Sequence, residues 1–371
     1  MSGGTSSKAG PGEGDTILIT GGAGFIGSNL ASRLLERGCR VRVFDSLDRP
    51  GVERNLEWLT SRHGDRVEPV IADLRDGARL AAAVRGVDAA YHFAAQVAVT
   101  TSLADPAADF AINLAGTFDL LEALRGQHGR IPLIFASTNK VYGDLSDVDL
   151  QLGPNGYAPH AGELGSHGVS ESRPLDFHTP YGCSKGAADQ YVLDYARSYA
   201  LPAAVLRMSC IYGERQMGTE DQGWVAHFLI RTLKDEGITL YGDGRQVRDI
   251  CDVADTCDAY IAALANIDAI SGRAFNWGGG PDNAVSLLTL IDEIAAIIGR
   301  KPDVRFADWR AGDQRWFVAD TRAIDGALDL APRKPWREGI RDLCRWLSDS
   351  GAGNGEQVAD PAAALPKMQM S

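Results

Sequence analysis

The stretch TILITGGAGFIGSN at residues 16–29 decides the fold of this 371-residue chain. An apolar run with strand character leads into Gly21, Gly24 and Gly27, and leucines then recur at helical spacing. A strand that turns through glycines into a helix presents backbone N–H groups and the positive end of the helix dipole to an anion. The stretch therefore predicts a dinucleotide-binding turn, with a glycine-rich turn that holds no ligand as the alternative.

A second predicted strand, residues 41–45, ends in Asp45. An acid at this point can accept hydrogen bonds from both hydroxyls of an adenosine ribose, and its charge would repel the 2′-phosphate of NADP. Asp45 therefore favours NAD. Two alternatives stay open: Asp45 can be an ordinary turn or capping residue, and Arg49 nearby can receive a 2′-phosphate.

The alternation of strands and helices continues beyond Asp45. Residues 67–71, 87–93 and 132–136 are apolar enough to form strands, and helical stretches separate them. Such alternation predicts an α/β fold: a parallel, doubly wound sheet of the Rossmann type with right-handed crossovers. Ligands of these sheets bind beyond the carboxyl ends of the strands.

Several residues follow predicted strands and therefore lie at that edge. Asp73 is placed to meet an adenine or to cap the next helix. The small residues Ala94 and Ala95, followed by Gln96, leave room for a cofactor. His92 lies inside an apolar strand, and we interpret it as a packed core histidine.

The pattern divides the chain into unequal parts. Residues 15–213 are predicted to form mainly the cofactor-binding Rossmann domain, and residues 214–348 mainly a smaller C-terminal substrate-binding lobe, with some chain crossing back. The Gly-rich residues 1–14 and residues 349–371 are predicted to be flexible tails. Residues 144–178 lack periodicity, which predicts a disordered loop or a functional lid.

Composition excludes several classes of protein. The formal net charge of −12, with no basic cluster, argues against nucleic-acid binding. No apolar run approaches the roughly 20 residues that a membrane span needs. The six cysteines are widely spaced and form no metal-binding pattern, which favours a reduced, cytoplasmic protein without a bound metal. Cys183 is interpreted as a packing residue.

Tyr181 and Lys185 lie four residues apart on a predicted helix, so their side chains share one face. A lysine ammonium near a phenol favours the phenolate and lowers the tyrosine pKa from about 10. A hydroxyl at the end of a neighbouring strand, from Ser137 or Thr138, can hold a substrate oxygen. This set suits proton removal from an alcohol that gives a hydride to NAD. An ordinary surface Tyr–Lys pair is the alternative.

Together, TGGAGFIG, Asp45, STNKVYG and YGCSK resemble the extended short-chain dehydrogenase/reductase family, whose epimerases, dehydratases and decarboxylases act on nucleotide sugars. The resemblance covers residues 16 to about 348, and it is closer to the CDP-sugar 2-epimerases within that family. The stretches that carry this closer resemblance are QVAVTTS (96–102), STNKVYGDL (137–145), PNGY (154–157), LDFHTPYGCSKGAADQY (175–191), DQGW (221–224), GRQVRD (244–249) and DQR (313–315).

The resemblance implies roles for residues of this chain. Tyr181 would be the base and acid, Lys185 would bind the nicotinamide ribose and tune Tyr181, and Thr138 would bind the sugar oxygen. The implied cofactor-binding residues are Gly21, Gly24, Phe25, Ile26, Gly27, Asp45, Asp73, Leu74, Ala94, Ala95, Gln96, Tyr181 and Lys185. The implied substrate-binding residues are Thr138, Asn139, Gln222, Arg248 and Arg310.

The two arginines match positions where family members clamp a nucleotide diphosphate, which a guanidinium fork suits. Surface charge or an internal ion pair is the alternative for both Arg248 and Arg310. The implied partner is thus a nucleotide-diphosphate sugar. The family also implies a homodimer formed by the helices of residues 109–124 and 181–199.

The residues after Thr138 separate the activities of the family. Its 4,6-dehydratases carry Asp-Glu there, whereas this chain carries Asn139 and Lys140, which cannot perform carboxylate acid/base chemistry. The resemblance therefore implies an epimerase that oxidises C2 transiently, returns the hydride and retains NAD. Two alternatives are a 4-epimerase acting on a UDP- or GDP-sugar and a non-catalytic NAD-binding scaffold. Residues 160–172 depart from the subgroup pattern, which leaves the base and the sugar 6-position open.

Overall fold

A computed structural model describes residues 10–127, 130–160, 162–310 and 312–350. The tails predicted at residues 1–14 and 349–371 lie largely outside this part of the chain.

The elements follow one another in the order that the alternation predicts. The strands are β1 (Thr16–Thr20), β2 (Arg40–Asp45), β3 (Val67–Ile71), β4 (Ala89–His92), β5 (Leu133–Thr138), β6 (Leu150–Gly153), β7 (Gly156–Pro159), β8 (Ala203–Met208), β9 (Cys210–Tyr212), β10 (Ile238–Tyr241), β11 (Val247–Asp252), β12 (Ala274–Trp277), β13 (Ala284–Ser286), β14 (Val304–Ala307) and β15 (Trp316–Phe317). The helices are α1 (Phe25–Glu36), α2 (Val52–His63), α3 (Gly77–Val84), α4 (Val99–Ala104), α5 (Pro106–Phe110), α6 (Gly116–Arg125), α7 (Glu163–His167), α8 (Thr179–Ser198), α9 (Trp224–Leu233), α10 (Val253–Ala265), α11 (Ile267–Ile270), α12 (Leu287–Ile298), α13 (Arg322–Leu328) and α14 (Trp336–Asp349).

Seven parallel strands form the main sheet in the order β12-β8-β5-β4-β1-β2-β3. The chain adds strands on one side of β1 and then crosses to the other side, starting with β4. In such a sheet the carboxyl ends of the two central strands border a crevice, because their following connections run in opposite directions. The predicted doubly wound Rossmann fold is confirmed, and the glycine turn after β1 lies at this crevice.

The central strand β1 is covered on both faces. Ile17 and Ile19 join a buried cluster with Leu30 and Leu34 of α1, whereas Leu18 joins a second cluster with Leu120 of α6. Side chains alternate between the faces of a strand, so one short apolar run supplies both layers. The core therefore holds β1 and its following turn rigidly between two layers of helices.

The C-terminal part of the chain contributes β12 to the main sheet and otherwise builds a smaller lobe. In this lobe β11 pairs with β9 and β15 in parallel and with β13 antiparallel, and β10 pairs with β14. A separate apolar cluster from α9, α12 and α14 packs against it. The domain limits at residues 213 and 214 stay a prediction.

Two predicted local structures differ from the observed ones. The described part of residues 144–178 contains the hairpin β6–β7 and the helix α7, and Val169 pairs with Ala319, so it is not a disordered loop; a role as a lid stays a prediction. Strands of four residues carry too little periodicity to be recognised, and contacts with the lobe order them; the Tyr157 hydroxyl, for example, donates to Asp243 at 2.7 Å. The helix predicted at residues 109–123 is interrupted by a π-turn at Ala111–Ala115.

The glycine turn is built by close backbone approaches. Gly21 has φ +69°, and a Cβ there would lie 2.6 Å from the Ala94 nitrogen. A Cβ on Gly27 would overlap the carbonyl oxygen of Gly21. These two glycines therefore let α1 pack directly on the turn and let β4 pass close beside it.

We expect Gly27→Ala to lower the free energy of unfolding by about 1–3 kcal/mol, because the added methyl overpacks a backbone contact. The matched control is Gly326→Ala on α13, where a Cβ meets no atom within 4 Å. That control should raise stability by up to about 1 kcal/mol through helix propensity. Urea denaturation of both variants tests this, and equal effects would contradict the packing account.

Candidate active site

Asp45 at the end of β2 is bonded to the glycine turn. Its carboxylate oxygens accept hydrogen bonds from the backbone N–H groups of Ala23 and Leu47, each at 3.0 Å. Burial raises the pKa of Asp45, and these backbone bonds oppose the increase. Each carboxylate oxygen has more than one lone pair, so Asp45 can still accept from a ribose hydroxyl.

The groups around the crevice fit a dinucleotide. Helix α1 begins after Gly24 without a side-chain cap, so its first N–H groups are available to an anion. Two buried polar atoms nearby in the fold have no hydrogen-bond partner: Gln96 Oε1, just beyond β4, and Ser137 Oγ in β5. Unpaired buried polar atoms are rare in folded proteins and often mark a ligand. Phe25, Ile26 and Gly27 form the first turn of α1 and would lie along a pyrophosphate.

The residues after β3 and β4 occupy this same edge of the sheet. The Asp73 carboxylate accepts from the Arg75 guanidinium at 2.8 and 2.6 Å, and this pairing lowers the pKa of Asp73. Contact of Asp73 and Leu74 with an adenine stays a prediction, since Arg75 takes up the carboxylate here. Ala94 and Ala95 are half-buried, and the Ala94 N–H donates to the Thr20 carbonyl at 3.1 Å.

The structure brings Thr138 and Tyr181 together. Thr138 ends β5, Tyr181 lies in the first turn of α8, and the Thr138 hydroxyl is near enough to the phenol to lower the pKa of Tyr181 against the effect of burial. The Tyr181 backbone N–H donates to Ser102 Oγ at 3.2 Å, which fixes the start of the helix. Tyr181 is 9 % exposed, so its phenol faces a nearly closed space at the end of the sheet.

Lys185 lies one turn further along α8, as predicted, but its ammonium is bonded to the backbone of β5. Lys185 Nζ donates to the Ala136 carbonyl at 2.7 Å and lies 4.2 Å from the centre of the Phe135 ring. Burial raises the pKa of Tyr181 to about 12 and lowers that of Lys185 to about 7. The expected lowering of the Tyr181 pKa by Lys185 is therefore wrong for this structure: burial raises this pKa, and the group that opposes the increase is Thr138.

Asn139 and Lys140 hold residues 312–314 of the lobe at the carboxyl end of β5. Asn139 Nδ2 donates to Gln314 Oε1 at 3.3 Å, and Lys140 Nζ donates to the Gly312 carbonyl at 3.2 Å. Gln314 Nε2 in turn donates to the Gly143 carbonyl at 2.6 Å. The sequence reasoning gave Gln314 no role, although it lies in one of the stretches that carry the resemblance. Its partner is 175 residues away, so only the fold reveals it.

Arg248 belongs to the same cluster. Its guanidinium donates to Asp313 at 2.7 Å and to the Gln314 carbonyl. The alternative interpretation, an internal ion pair, thus describes Arg248 in this structure. A diphosphate contact by Arg248 stays a prediction.

Arg310 contacts the two residues that precede Gln222 at a second place in the lobe. The Arg310 guanidinium lies 3.0 Å from Asp221 Oδ1, donates to the Glu220 carbonyl at 3.1 Å, and stacks 3.7 Å from the centre of the Tyr241 ring. Gln222, next in the chain, has a buried Oε1 without a hydrogen-bond partner. This second cluster therefore combines a planar cation with an unpaired acceptor, as a polar ligand site requires.

Two single-residue interpretations have different outcomes. His92 is fully buried between Thr20 and Thr117, which lie 2.6 and 2.9 Å from its ring nitrogens. Burial, with a smaller effect of Lys185, lowers the pKa of His92 to about 3, so the core interpretation is confirmed.

Cys183 is exposed, so the packing interpretation is wrong; it lies on the outer face of α8, away from the buried Tyr181.

The π-turn at Ala111–Ala115 contributes residues that the sequence analysis did not identify. It directs Asn113 inward, where Oδ1 accepts from the Gln96 N–H at 2.8 Å and Nδ2 donates to Asp109 at 3.0 Å. Ser184 of α8 also donates to Asp109. A helical pattern gives no sign of a π-turn, although such turns often occur at functional sites.

Within the described part of the chain, no group of three or more His, Cys, Asp or Glu side chains is arranged to hold a metal ion. The described helices also include none whose length and apolar character would suit a membrane span.

Comparison with known proteins agrees with this site. Residues 17–278 match the NAD dependent epimerase/dehydratase family. The chain is 43% identical over 349 residues to a CDP-paratose 2-epimerase from Salmonella typhi, covering 90% of this chain and 99% of that protein.

Solved structures give the same result. A UDP-glucose 4-epimerase from Thermus thermophilus in complex with NAD is 32% identical, with a TM-score of 0.76, over 90% of this chain and 99% of that one. A UDP-glucuronic acid 4-epimerase from Bacillus cereus, in complex with UDP-glucuronic acid and NAD, is 27% identical, with a TM-score of 0.77 over the same shares. The predicted NAD cofactor is thereby confirmed, and the chain belongs to the NAD-dependent epimerase/dehydratase family.

Proposed function

We propose that this protein is a nucleotide-sugar 2-epimerase that acts on a CDP-hexose. The observation that carries the proposal is the juxtaposition of Thr138 and the buried Tyr181 at the carboxyl end of β5, where Thr138 is followed by two residues, Asn139 and Lys140, that are not acids. The choice of C2 and of a CDP-sugar rests on the similarity to the Salmonella typhi CDP-paratose 2-epimerase.

Tyr181 is the proton acceptor and donor in this proposal. Thr138 holds the sugar oxygen beside the phenol, and the nearly complete burial of Tyr181 excludes water from the proton that moves. Lys185, anchored at the Ala136 carbonyl, binds the nicotinamide ribose. NAD, when bound along Gly21–Gly27 and Asp45, supplies the hydride chemistry that oxidises C2 to a ketone and reduces it again from the opposite face.

The environment of Asn139 and Lys140 explains why no water is eliminated. An elimination needs one group that removes a proton from carbon and one that protonates the leaving hydroxyl. The Asn139 amide has no titratable proton, and it is bonded to Gln314. Lys140 is bonded to Gly312 beside Asp313. Both side chains thus act as anchors for the lobe, and the ketone stage ends in reduction.

The lobe supplies the groups for a nucleotide diphosphate in this proposal. Arg248 and Arg310 are already paired with carboxylates, so an incoming diphosphate replaces or shares those contacts. Gln222 contributes its unpaired Oε1 as an acceptor for a donor on the ligand. The free cysteines suit a reduced, cytoplasmic location.

The protein forms a homodimer in this proposal. Three aromatic side chains are exposed on neighbouring faces of α6 and α8: Phe118, Tyr191 and Tyr199 are 42%, 46% and 55% exposed. Phe118 and Tyr191 already form an edge-to-face contact at 6.1 Å between ring centres. A contiguous apolar face on two packed helices is typical of a subunit interface.

Replacing the phenol of Tyr181 tests the proton transfer on which the proposed enzyme activity depends. We expect Tyr181→Phe to reduce kcat on CDP-glucose by about 10²–10⁴-fold while leaving NAD bound, because the variant loses only the proton-transferring hydroxyl. Tyr195→Phe is the matched control, since the Tyr195 hydroxyl lies on the same helix but donates to Glu122. Absence of turnover by the wild-type protein on every nucleotide sugar tested would favour the scaffold alternative, and full activity of Tyr181→Phe would refute Tyr181 as the proton-transferring residue.

Isotope incorporation tests both the position and the route. In heavy water we expect a product inverted at C2 that carries no solvent deuterium there, because a transferred hydride does not exchange with solvent. Proton NMR of products from CDP-, GDP- and UDP-hexoses measures both properties. Deuterium at C2 would exclude the hydride route, and inversion at C4 instead would establish the 4-epimerase alternative.

The assembly can be tested with one surface charge. We expect Phe118→Asp to convert the dimer into a monomer, because it places a carboxylate in an apolar contact. Phe306→Asp is the control: Phe306 is 59% exposed but lies on β14, outside the helical face. Sedimentation analysis distinguishes the two, and an unchanged mass of Phe118→Asp would refute this interface.

A further inference from the structure

Asp109 is a buried carboxylate beside the proton-transferring pair, and the proposed mechanism gives it no role. Its relative exposure is 0 %. It lies on α5, immediately before the π-turn, and its two oxygens accept from Asn113 and from Ser184 Oγ. Both donors are neutral, and burial raises the pKa of Asp109, while the Ser184 hydrogen bond and the charge of Lys185 oppose the increase and favour the carboxylate.

Ser184 connects the Asp109 carboxylate to Tyr181 and Lys185. It lies between Tyr181 and Lys185 on α8, and its hydroxyl approaches the Tyr181 carbonyl at 3.2 Å as well as Asp109. Asn113 completes the connection, because Nδ2 reaches Ser184 Oγ at 3.2 Å and the Gln96 carbonyl at 3.0 Å. The first turn of α8 is therefore fastened to the α5 end of the π-turn by polar groups that are all buried.

We propose that Asp109 is a positioning residue, whose buried negative charge and bond to Ser184 hold Tyr181 and Lys185 in their working arrangement and set the pH range in which they act. This inference rests on the proposed function of Tyr181. It assigns Asp109 no contact with the sugar.

The charged groups that face Tyr181 and Lys185 distinguish Asp109 from the other carboxylate nearby. Lys185 is close to two carboxylates, Asp109 and Asp189, and both favour its ammonium form. Asp189 is held by both guanidinium nitrogens of Arg207 at 2.9 Å, so much of its charge is compensated. His92 on β4 also faces Lys185 but stays neutral. Asp189 has the larger effect on Lys185, but Asp109 is the carboxylate that acts on both Lys185 and Tyr181.

The sign of the effect follows from the charge. A negative Asp109 stabilises the Lys185 ammonium and destabilises the Tyr181 phenolate, so it raises the pKa of both groups. Activity that needs a phenolate together with an ammonium has its acid and alkaline limits at the two pKa values of this coupled pair. Removal of the charge should move both limits toward lower pH.

Asp109→Asn is a suitable variant because the amide keeps the shape of the carboxylate. Its oxygen can still accept from Asn113, and its NH₂ can donate to the Ser184 hydroxyl, which turns to accept. Ser184→Ala is the matched control, since it removes the bond to Asp109 but leaves the charge. Thermal denaturation shows whether each variant folds.

The test uses the NAD-loaded full chain with CDP-glucose. In Asp109→Asn we expect both limits of the kcat–pH profile to move down by about one pH unit, whereas Ser184→Ala should lower kcat with little shift. A second readout needs no turnover: the phenolate absorbance of Tyr181, taken as the difference from Tyr181→Phe, should appear at lower pH in Asp109→Asn.

A folded Asp109→Asn variant with an unshifted profile and an unshifted phenolate titration would refute this role. That result leaves the proposed function intact if Tyr181→Phe is inactive. Absence of C2 inversion by the wild-type protein would instead reject the proposed function, whatever Asp109→Asn does.

Discussion

The close approach of α1 to the turn after β1 is the contact on which the rest of the structure depends. Gly27 rests against the Gly21 carbonyl, and a side chain on either residue would push helix, turn and β4 apart. This approach leaves the first N–H groups of α1 facing the crevice without a side-chain cap. One packing constraint thus creates the space for a dinucleotide and the dipole that attracts its pyrophosphate. Asp45, bonded to the Ala23 N–H, fixes the same turn from the side of β2.

Burial dominates the chemistry at the other end of the crevice. The phenol of Tyr181 and the ammonium of Lys185 are both removed from water, so burial alone favours the neutral form of each. Neighbouring charges therefore decide how the pair is ionised, and the protein supplies two carboxylates, Asp109 and Asp189, on the lysine side. A site that must take up and release a proton is well served by groups whose ionisation depends on their surroundings.

The smaller lobe is joined to the sheet through the residues that distinguish this chain from a dehydratase. Asn139 bonds to Gln314, and Lys140 bonds to Gly312, while Arg248 holds the same segment from β11. In this arrangement the two positions immediately after Thr138 serve to place the lobe. The same two side chains thus leave these positions without a carboxylate and attach the lobe to the sheet.

The sequence by itself determined the fold class, the cofactor turn and the Tyr181–Lys185 pair, because these depend on short-range periodicity and spacing, whereas the choice of Thr138 over Ser137 rested on the family resemblance. Residues 67–71, predicted as a strand from their apolar pattern, form β3 with those limits. Only the tertiary structure decided where charges meet: Lys185 turns to Ala136, Arg248 pairs with Asp313, and Asp109 reaches Ser184 from 75 residues away. Such contacts depend on how separate elements pack, and the ionisation of a buried group depends on all its neighbours at once, which no local pattern contains.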